Sequence, residues 1–287
     1  MLAHAPKNQI IANMVWQALQ HILRQDEIDL AEASLLLAQC LAYPDLDLTL
    51  YRDRLDALTT AAQEAVWRYA SPAARAEALA NFLFVQQGFT GNTLNYGDPR
   101  NSYLCDVLER RLGIPISLSA LFMIIAQRLN IPAYGVGMPG HFIVGLEDEL
   151  GALWLDPFNE GVWLSEEDCK RLVQNTAGIE PHLFQREWLE PTAVSDIIIR
   201  MLNNLRLIYM QQQAWSTARR VVRLLRLLQP TMDELWRDEG LIELQIGNFA
   251  RAVSLLEMYL QRVPDAPDKQ IIQQQVAPTI NKWVPLN

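Results

Sequence analysis

The C-terminal third of the chain repeats itself with a fixed period. Ala218 and Ala252 stand 34 residues apart, as do Pro230 and Pro264, and Trp215 and Phe249. A period of this length marks a unit that cannot bury its apolar face alone and stacks on a copy of itself. The small alanine lets the two helices of a hairpin approach closely. The proline ends the second helix, because it has no N–H to give and its ring clashes with the preceding turn. Residues 193–287 are therefore expected to be helical.

The offsets within the period match the tetratricopeptide pattern. Trp236 and Gly240 precede Ala252 by 16 and 12 residues, and Tyr209 precedes Ala218 by 9. The pattern fails at Arg206, which stands at the first repeat's glycine position, and at Glu243, at the second repeat's tyrosine position. The expectation is two degenerate repeats and a closing helix near Gln270 to Ile280.

Residues 1–87 also read as helical. Ile11, Met14, Val15, Ala18, Ile22 and Leu23 follow the three-and-four spacing of an amphipathic helix. Asp29 is placed to cap a second helix that stops before Tyr43-Pro44-Asp45. A third spans Leu48 to Tyr69, and Ser71-Pro72 opens a fourth. His21 falls mid-helix and reads as a surface or core residue.

The stretch 88–192 differs. Glycine and proline concentrate in it, and short β-like runs appear. Asp98-Pro99 is expected to cap a helix running to Arg111 and closed by Gly113. Ile114-Pro115 opens a buried helix through Leu129. Strands follow at Ala133 to Met138, His141 to Leu146 and Leu153 to Asp156, parted by Pro139-Gly140 and Glu149-Leu150-Gly151. Two helices and an antiparallel meander make an α+β unit.

A length of 287 residues suggests two domains at about 100–200 residues each. With 33 acids against 24 bases, the net charge of −9 argues against a general nucleic-acid binder, which needs a basic surface to displace counterions. Three cysteines with no close pair speak against a disulfide framework and for a cytoplasmic setting. The longest apolar run, Ile116 to Ala126, has 11 residues, well short of the ~20 that span a bilayer. No signal peptide is read at the N-terminus, and no membrane association is expected.

The candidate chemistry lies in the centre. His141 opens one strand and Asp156 ends the next, and paired strands lie ~4.8 Å apart, so the two can meet. A carboxylate behind a histidine fixes its tautomer and stabilises its charged form. Four histidines without ligand spacing predict no metal site, and no phosphate-binding glycine loop or other cofactor motif occurs.

The motifs Asp98-Pro-Arg-Asn-Ser-Tyr-Leu, Arg111-Leu-Gly-Ile-Pro-Ile-Ser-Leu-Ser-Ala-Leu, Gly135-Val-Gly-Met-Pro-Gly-His-Phe and Asp156-Pro-Phe-Asn resemble the SirB-type transglutaminase-like domain. That bacterial family carries a tetratricopeptide-like tail, is known chiefly as regulator-type proteins, and shares its domain with an F-box protein of animals. The resemblance implies a papain/transglutaminase-like helix-plus-antiparallel-sheet core over 88–192, preceded by a helical N-terminal part over 1–87. The wider superfamily uses a Cys, His, Asp triad. His141 and Asp156 match two members. The cysteine position falls near Pro115, Ile116 and Ser117, where no cysteine stands.

Ser117 is the best-placed substitute hydroxyl, in the first turn of its helix, although serine there commonly caps free N–H groups. Ser119 points to another helix face. Cys105 sits in an apolar context and reads as a small hydrophobe. Asn101 and Ser102 either bond loop backbone or line a cleft with Cys105. In the tail, Arg200, Arg206, Arg219, Arg220, Arg223 and Arg226 face one acid, Asp196, across residues 196–230. Arg219, Arg223 and Arg226 share a helical face. That face suits an acidic peptide or other protein partner, or internal salt bridges. The expectation is a non-catalytic regulatory or interaction protein. The alternative is an acyl-transfer enzyme (amidase, peptidase or transamidase) using His141 and Asp156 with Ser117 or Cys105.

Overall fold

The computed structural model describes residues 7–148 and 151–274. They form two compact units, dividing after Met201.

The first unit opens with four helices: α1 (Lys7–Ile22), α2 (Leu30–Leu41), α3 (Leu48–Val66) and α4 (Pro72–Ala80), the last running into a π turn at Asn81–Gln86. Each start after α1 has the cap its sequence offers. The Asp29 carboxylate accepts the Glu32 N–H, Asp47 accepts those of Thr49 and Leu50, and Ser71 accepts that of Ala74 ahead of Pro72. The buried face of α1 is rotated from the expected one. Leu19 is fully buried, whereas Met14 is 63% exposed and Ala18 is also exposed. His21 lies on the surface.

The expected helix from Pro99 to Arg111 is two pieces. Asp98 caps a single 3-10 turn, Pro99–Asn101. The chain then extends at Tyr103 (φ −91°, ψ 125°) and starts again as α5 (Leu104–Arg110). The break buries Tyr103 and the side chain of Asn101, which a continuous helix would have directed elsewhere. Arg111 (φ 57°), rather than Gly113, takes the left-handed position at the helix end. Leu112–Gly113 is strand β2, paired in parallel with β1 (Thr90–Gly91). The helix α6 (Pro115–Arg128) is buried along its length from Pro115 to Ala126, which marks it as the central core helix.

Strands β3 (Ala133–Met138), β4 (His141–Asp148), β5 (Gly151–Asp156), β6 (Val162–Leu164) and β7 (Pro191–Thr192) form one antiparallel sheet in the order β6-β5-β4-β3-β7. The two- and three-residue edge strands β6 and β7 were not among the sequence expectations. The helix α6 packs on β3 and β4. On the sheet's other covering, Val136, Met138, Ile143 and Trp154 pack with Cys169 and Val173 of α7 (Glu166–Ala177). Together these make the α+β core.

Helix α8 (Val194–Gln211) crosses the division between the units. The second unit continues with α9 (Trp215–Leu228), α10 (Glu234–Ile246) and α11 (Phe249–Arg262). Ala218 and Ala252 are fully buried between the helices, as the period requires. A Cβ on Gly240 would stand 2.7 Å from the Leu256 side chain, so α10 and α11 approach as closely as glycine permits. Residues 269–274 are helical, and the remainder of the expected closing helix lies outside the described residues.

Candidate functional site

His141 and Asp156 meet. The Nε2 of His141 lies 2.9 Å from Oδ2 of Asp156, and both side chains are buried. They are not directly opposed. Val144 pairs with Leu155, and continuing that register sets Asp156 across from Ile143, so His141 reaches it diagonally from the end of its strand. Asp156 also ends β5 as the cap of a 3-10 turn, Pro157–Asn159. It accepts the N–H groups of Phe158 (3.0 Å) and Asn159 (3.4 Å) and the Asn159 amide (2.7 Å). With the carboxylate as acceptor, Nε2 carries the ring proton and the lone pair of the neutral imidazole is on Nδ1. Gly140 (φ +72°) makes the tight turn before His141 and packs against Thr176 of α7.

The hydroxyl of Ser117 is occupied. It accepts the Ile114 N–H at 3.0 Å and donates to the Asn101 carbonyl at 2.6 Å, with the Ile114 carbonyl 3.1 Å away. It thus caps the start of α6 and ties that start to the 3-10 turn. Gly113 makes room for it, since a Cβ there would lie 2.8 Å from the hydroxyl. Ser119 donates a long 3.4 Å bond to the Phe142 carbonyl. Burial and the neighbouring Asp106 carboxylate push the Cys105 thiol up to about 12, which keeps it protonated and a poor nucleophile. Cys169 is held at about 12 by burial and nearby carboxylates, Asp168 and Asp156 among them.

Asn101, fully buried, bonds loop backbone. Its amide donates to the carbonyls of Asn95 (2.8 Å) and Tyr96 (3.3 Å), and its oxygen accepts from Asn92 (3.0 Å) and Arg110 (3.4 Å). Ser102 Oγ is buried without a hydrogen-bond partner among the described residues. The loop that Asn101 organises brings Tyr96 to Phe158, ring centroids 6.2 Å apart, and Phe158 stands edge-on to His141 at 6.0 Å. Gly91 lets Phe158 in, because a Cβ there would stand 2.5 Å from the ring. Tyr96, Phe158 and Arg200 were not singled out as site residues from sequence. Arg200 donates from Nη2 to the carbonyls of Met138 and His141, each at 2.6 Å, and so clamps both sides of the β3–β4 turn.

In the second unit, Arg219, Arg223 and Arg226 do share a face, and it meets two fully buried carboxylates. Arg219 pairs with Glu243 (3.3 Å), Arg223 with Glu239 (2.8 Å) and Glu243 (3.1 Å), and Arg226 with Glu239. Arg251 joins both acids at 3.1 and 3.2 Å. Arg226 also stacks on Trp236, 3.4 Å from the ring centroid. Four arginines share two glutamates, and each arginine keeps part of its surface in water. Of the two sequence readings, internal salt bridges account for the pairing, while the cluster retains an excess of positive charge.

Hollows of about 710 Å³ between α3 and α4 and about 500 Å³ beside β3 lie away from His141 and Asp156. Among the described residues no group of three or more His, Cys, Asp or Glu is arranged to hold a metal ion. No described helix is long and apolar enough to cross a membrane.

Comparison with known proteins shows the family of the chain. The family model described as transglutaminase-like superfamily matches residues 49–203, and a tetratricopeptide repeat model matches 205–277. A UPF0162 protein of Xylella fastidiosa is 33% identical over 272 residues, covering 94% of this chain and 96% of its own length. Protein SirB1 of Salmonella typhimurium is 28% identical over 236 residues, 82% of this chain and 87% of its own. F-box only protein 21 of Mus musculus shares 34% identity over 105 residues, 34% of this chain and 17% of its own. With its helix-and-sheet core, its buried His–Asp pair and its helical repeats, this chain belongs to the SirB1/UPF0162 family of transglutaminase-like proteins with a tetratricopeptide-repeat region.

Proposed function

We infer that this protein is a non-catalytic regulatory or protein-interaction protein, acting in the cytoplasm. In this reading residues 88–192 are a transglutaminase-like core that has lost its nucleophile, after a helical part over 1–87, and residues 193–287 carry the partner surface. The observation that carries the reading is at the start of α6. The Ser117 hydroxyl there is bound between the Ile114 N–H and the Asn101 carbonyl, and Cys105 is buried in the preceding helix. His141 and Asp156 then act as a polar staple between strand ends. The partner is an acidic protein segment, favoured by the four arginines that share two glutamates. Three cysteines with no close pair in sequence agree with a reducing compartment.

Turnover of activated acyl esters by the native protein and by His141→Ala tests the first part. Equal background rates are expected, and a His141-dependent burst would overturn it. A labelled oligoglutamate peptide tests the second part. Binding that weakens with salt and with Arg219→Ala or Arg226→Ala is expected, and salt-independent binding would count against it.

One observation favours a second reading, residual acyl transfer. The His141–Asp156 pair is buried, close and oriented with Nδ1 left to act as a base. A His141-dependent burst lost in Ser117→Ala or Cys105→Ala would establish it and name the nucleophile.

A further inference from the structure

Helices α9 and α11 open on the two aromatic residues that the 34-residue period sets in equivalent places, Trp215 and Phe249. Both line one hollow of about 450 Å³ in the second unit, with Met210, Leu241, Leu244 and Gln245. Apart from Gln245 these side chains are apolar. The packing of the repeats consumes Ala218 and Ala252, which are fully buried, but leaves Phe249 41% exposed at the hollow.

The hollow adjoins the arginine cluster. Glu243 stands between two lining residues, Ile242 and Leu244, and holds Arg219 at 3.3 Å, Arg251 at 3.2 Å and the Asn248 amide at 3.2 Å. Asn248 directly precedes Phe249. Arg219 follows Trp215 by four residues, on the same side of α9. Arg251 is the most exposed of the four arginines, at 48% of its side chain. With Asn248 turned to Glu243, α11 starts without a side-chain cap, as α9 also does. Uncapped helix starts add partial positive charge at this end of the unit. An apolar hollow rimmed by cationic groups is complementary to an apolar side chain flanked by carboxylates.

We propose that this hollow receives one aromatic side chain of an acidic partner segment, whose flanking carboxylates pair with Arg219 and Arg251. The proposal deepens the reading of the repeat region as a surface for an acidic partner, and rests on it. A ring desolvated in an apolar pocket supplies affinity. The charges around it supply orientation and choice of partner.

The test is fluorescence anisotropy of the full chain with three labelled peptides, Glu-Glu-Trp-Glu-Glu, Glu-Glu-Ala-Glu-Glu and Lys-Lys-Trp-Lys-Lys. The acidic tryptophan peptide is expected to bind about tenfold tighter than the acidic alanine peptide, and the basic peptide not to saturate. Gln245→Trp, at an exposed position, fills the hollow. It is expected to abolish the tryptophan advantage and leave the alanine peptide's affinity unchanged, and Phe249→Ala is expected to reduce the same advantage. Arg251→Gln leaves Glu239 and Glu243 paired with the other arginines, and is expected to weaken both acidic peptides severalfold. Equal affinity for the two acidic peptides would overturn the proposal and leave the acidic-partner reading standing. Binding of neither would overturn both. An advantage that survives both Gln245→Trp and Phe249→Ala, or equal binding of the basic peptide, would also overturn the proposal. So would self-association of the chain that Gln245→Trp abolishes, which would seat a second copy in the hollow instead.

Discussion

Removing the Asp156 carboxylate strands four donors at once: the ring of His141, two backbone N–H groups and the Asn159 amide. Removing the His141 ring takes one donor from a carboxylate that keeps three. Each buried group left unpaired costs about 1–3 kcal/mol. Asp156→Ala should therefore destabilise the protein by about 1–3 kcal/mol more than His141→Ala in urea unfolding. Equal losses would show that the pair is not embedded as described. Ser117→Ala removes the cap of α6 and its tie to Asn101, and should cost about 1 kcal/mol by the same measurement. His141 and Asp156 were legible in sequence because each ends a strand at a recognisable turn. Arg200 was not, because its partners are backbone carbonyls, which leave no trace in residue identity.

Gly140 shows how an element's end is fixed by its neighbours. Its φ of +72° is already unfavourable for an L side chain, and a Cβ would lie 2.7 Å from the Thr176 hydroxyl and 2.9 Å from the Thr176 backbone. Gly140→Ala should cost about 1–3 kcal/mol and loosen the turn that presents His141, read as faster amide exchange at His141 and Phe142. The three longer strands were legible from alternation and turn residues. The edge strands β6 and β7 were not, since two or three residues carry no period. The helix expected over 99–111 failed because tertiary burial of Tyr103 and Asn101 outweighed a capped helical pattern. In the repeats, the two positions that depart from the pattern are ionic. Arg206 pairs with Asp238 at 2.7 Å, and Glu243 is one of the two buried acids.

Burial acts to raise the Glu239 carboxyl, and hydrogen bonds from Arg223 and Arg226 outweigh it, holding the group below the ordinary glutamate value of 4.5. A carboxyl depressed in the folded state contributes fully above its unfolded value and loses that contribution as pH falls through the folded one. The second unit should therefore lose stability below about pH 4.5, and Glu239→Gln should flatten that dependence. Stability of residues 202–274 by hydrogen exchange at about pH 6 and about pH 3.5 measures it.

At the scale of the whole molecule, the chain joins a transglutaminase-like core with a buried His141–Asp156 pair to a repeat region in which arginines pair with two buried glutamates. The central proposal is that His141 and Asp156 have no nucleophile to activate. Reaction of the native protein with broad electrophilic acyl-enzyme probes, read by intact mass beside Ser117→Ala, Cys105→Ala and His141→Ala, tests that claim most directly. No His141-dependent adduct is predicted. An adduct that needs His141 and disappears with either Ser117 or Cys105 would contradict the account and identify the attacking atom.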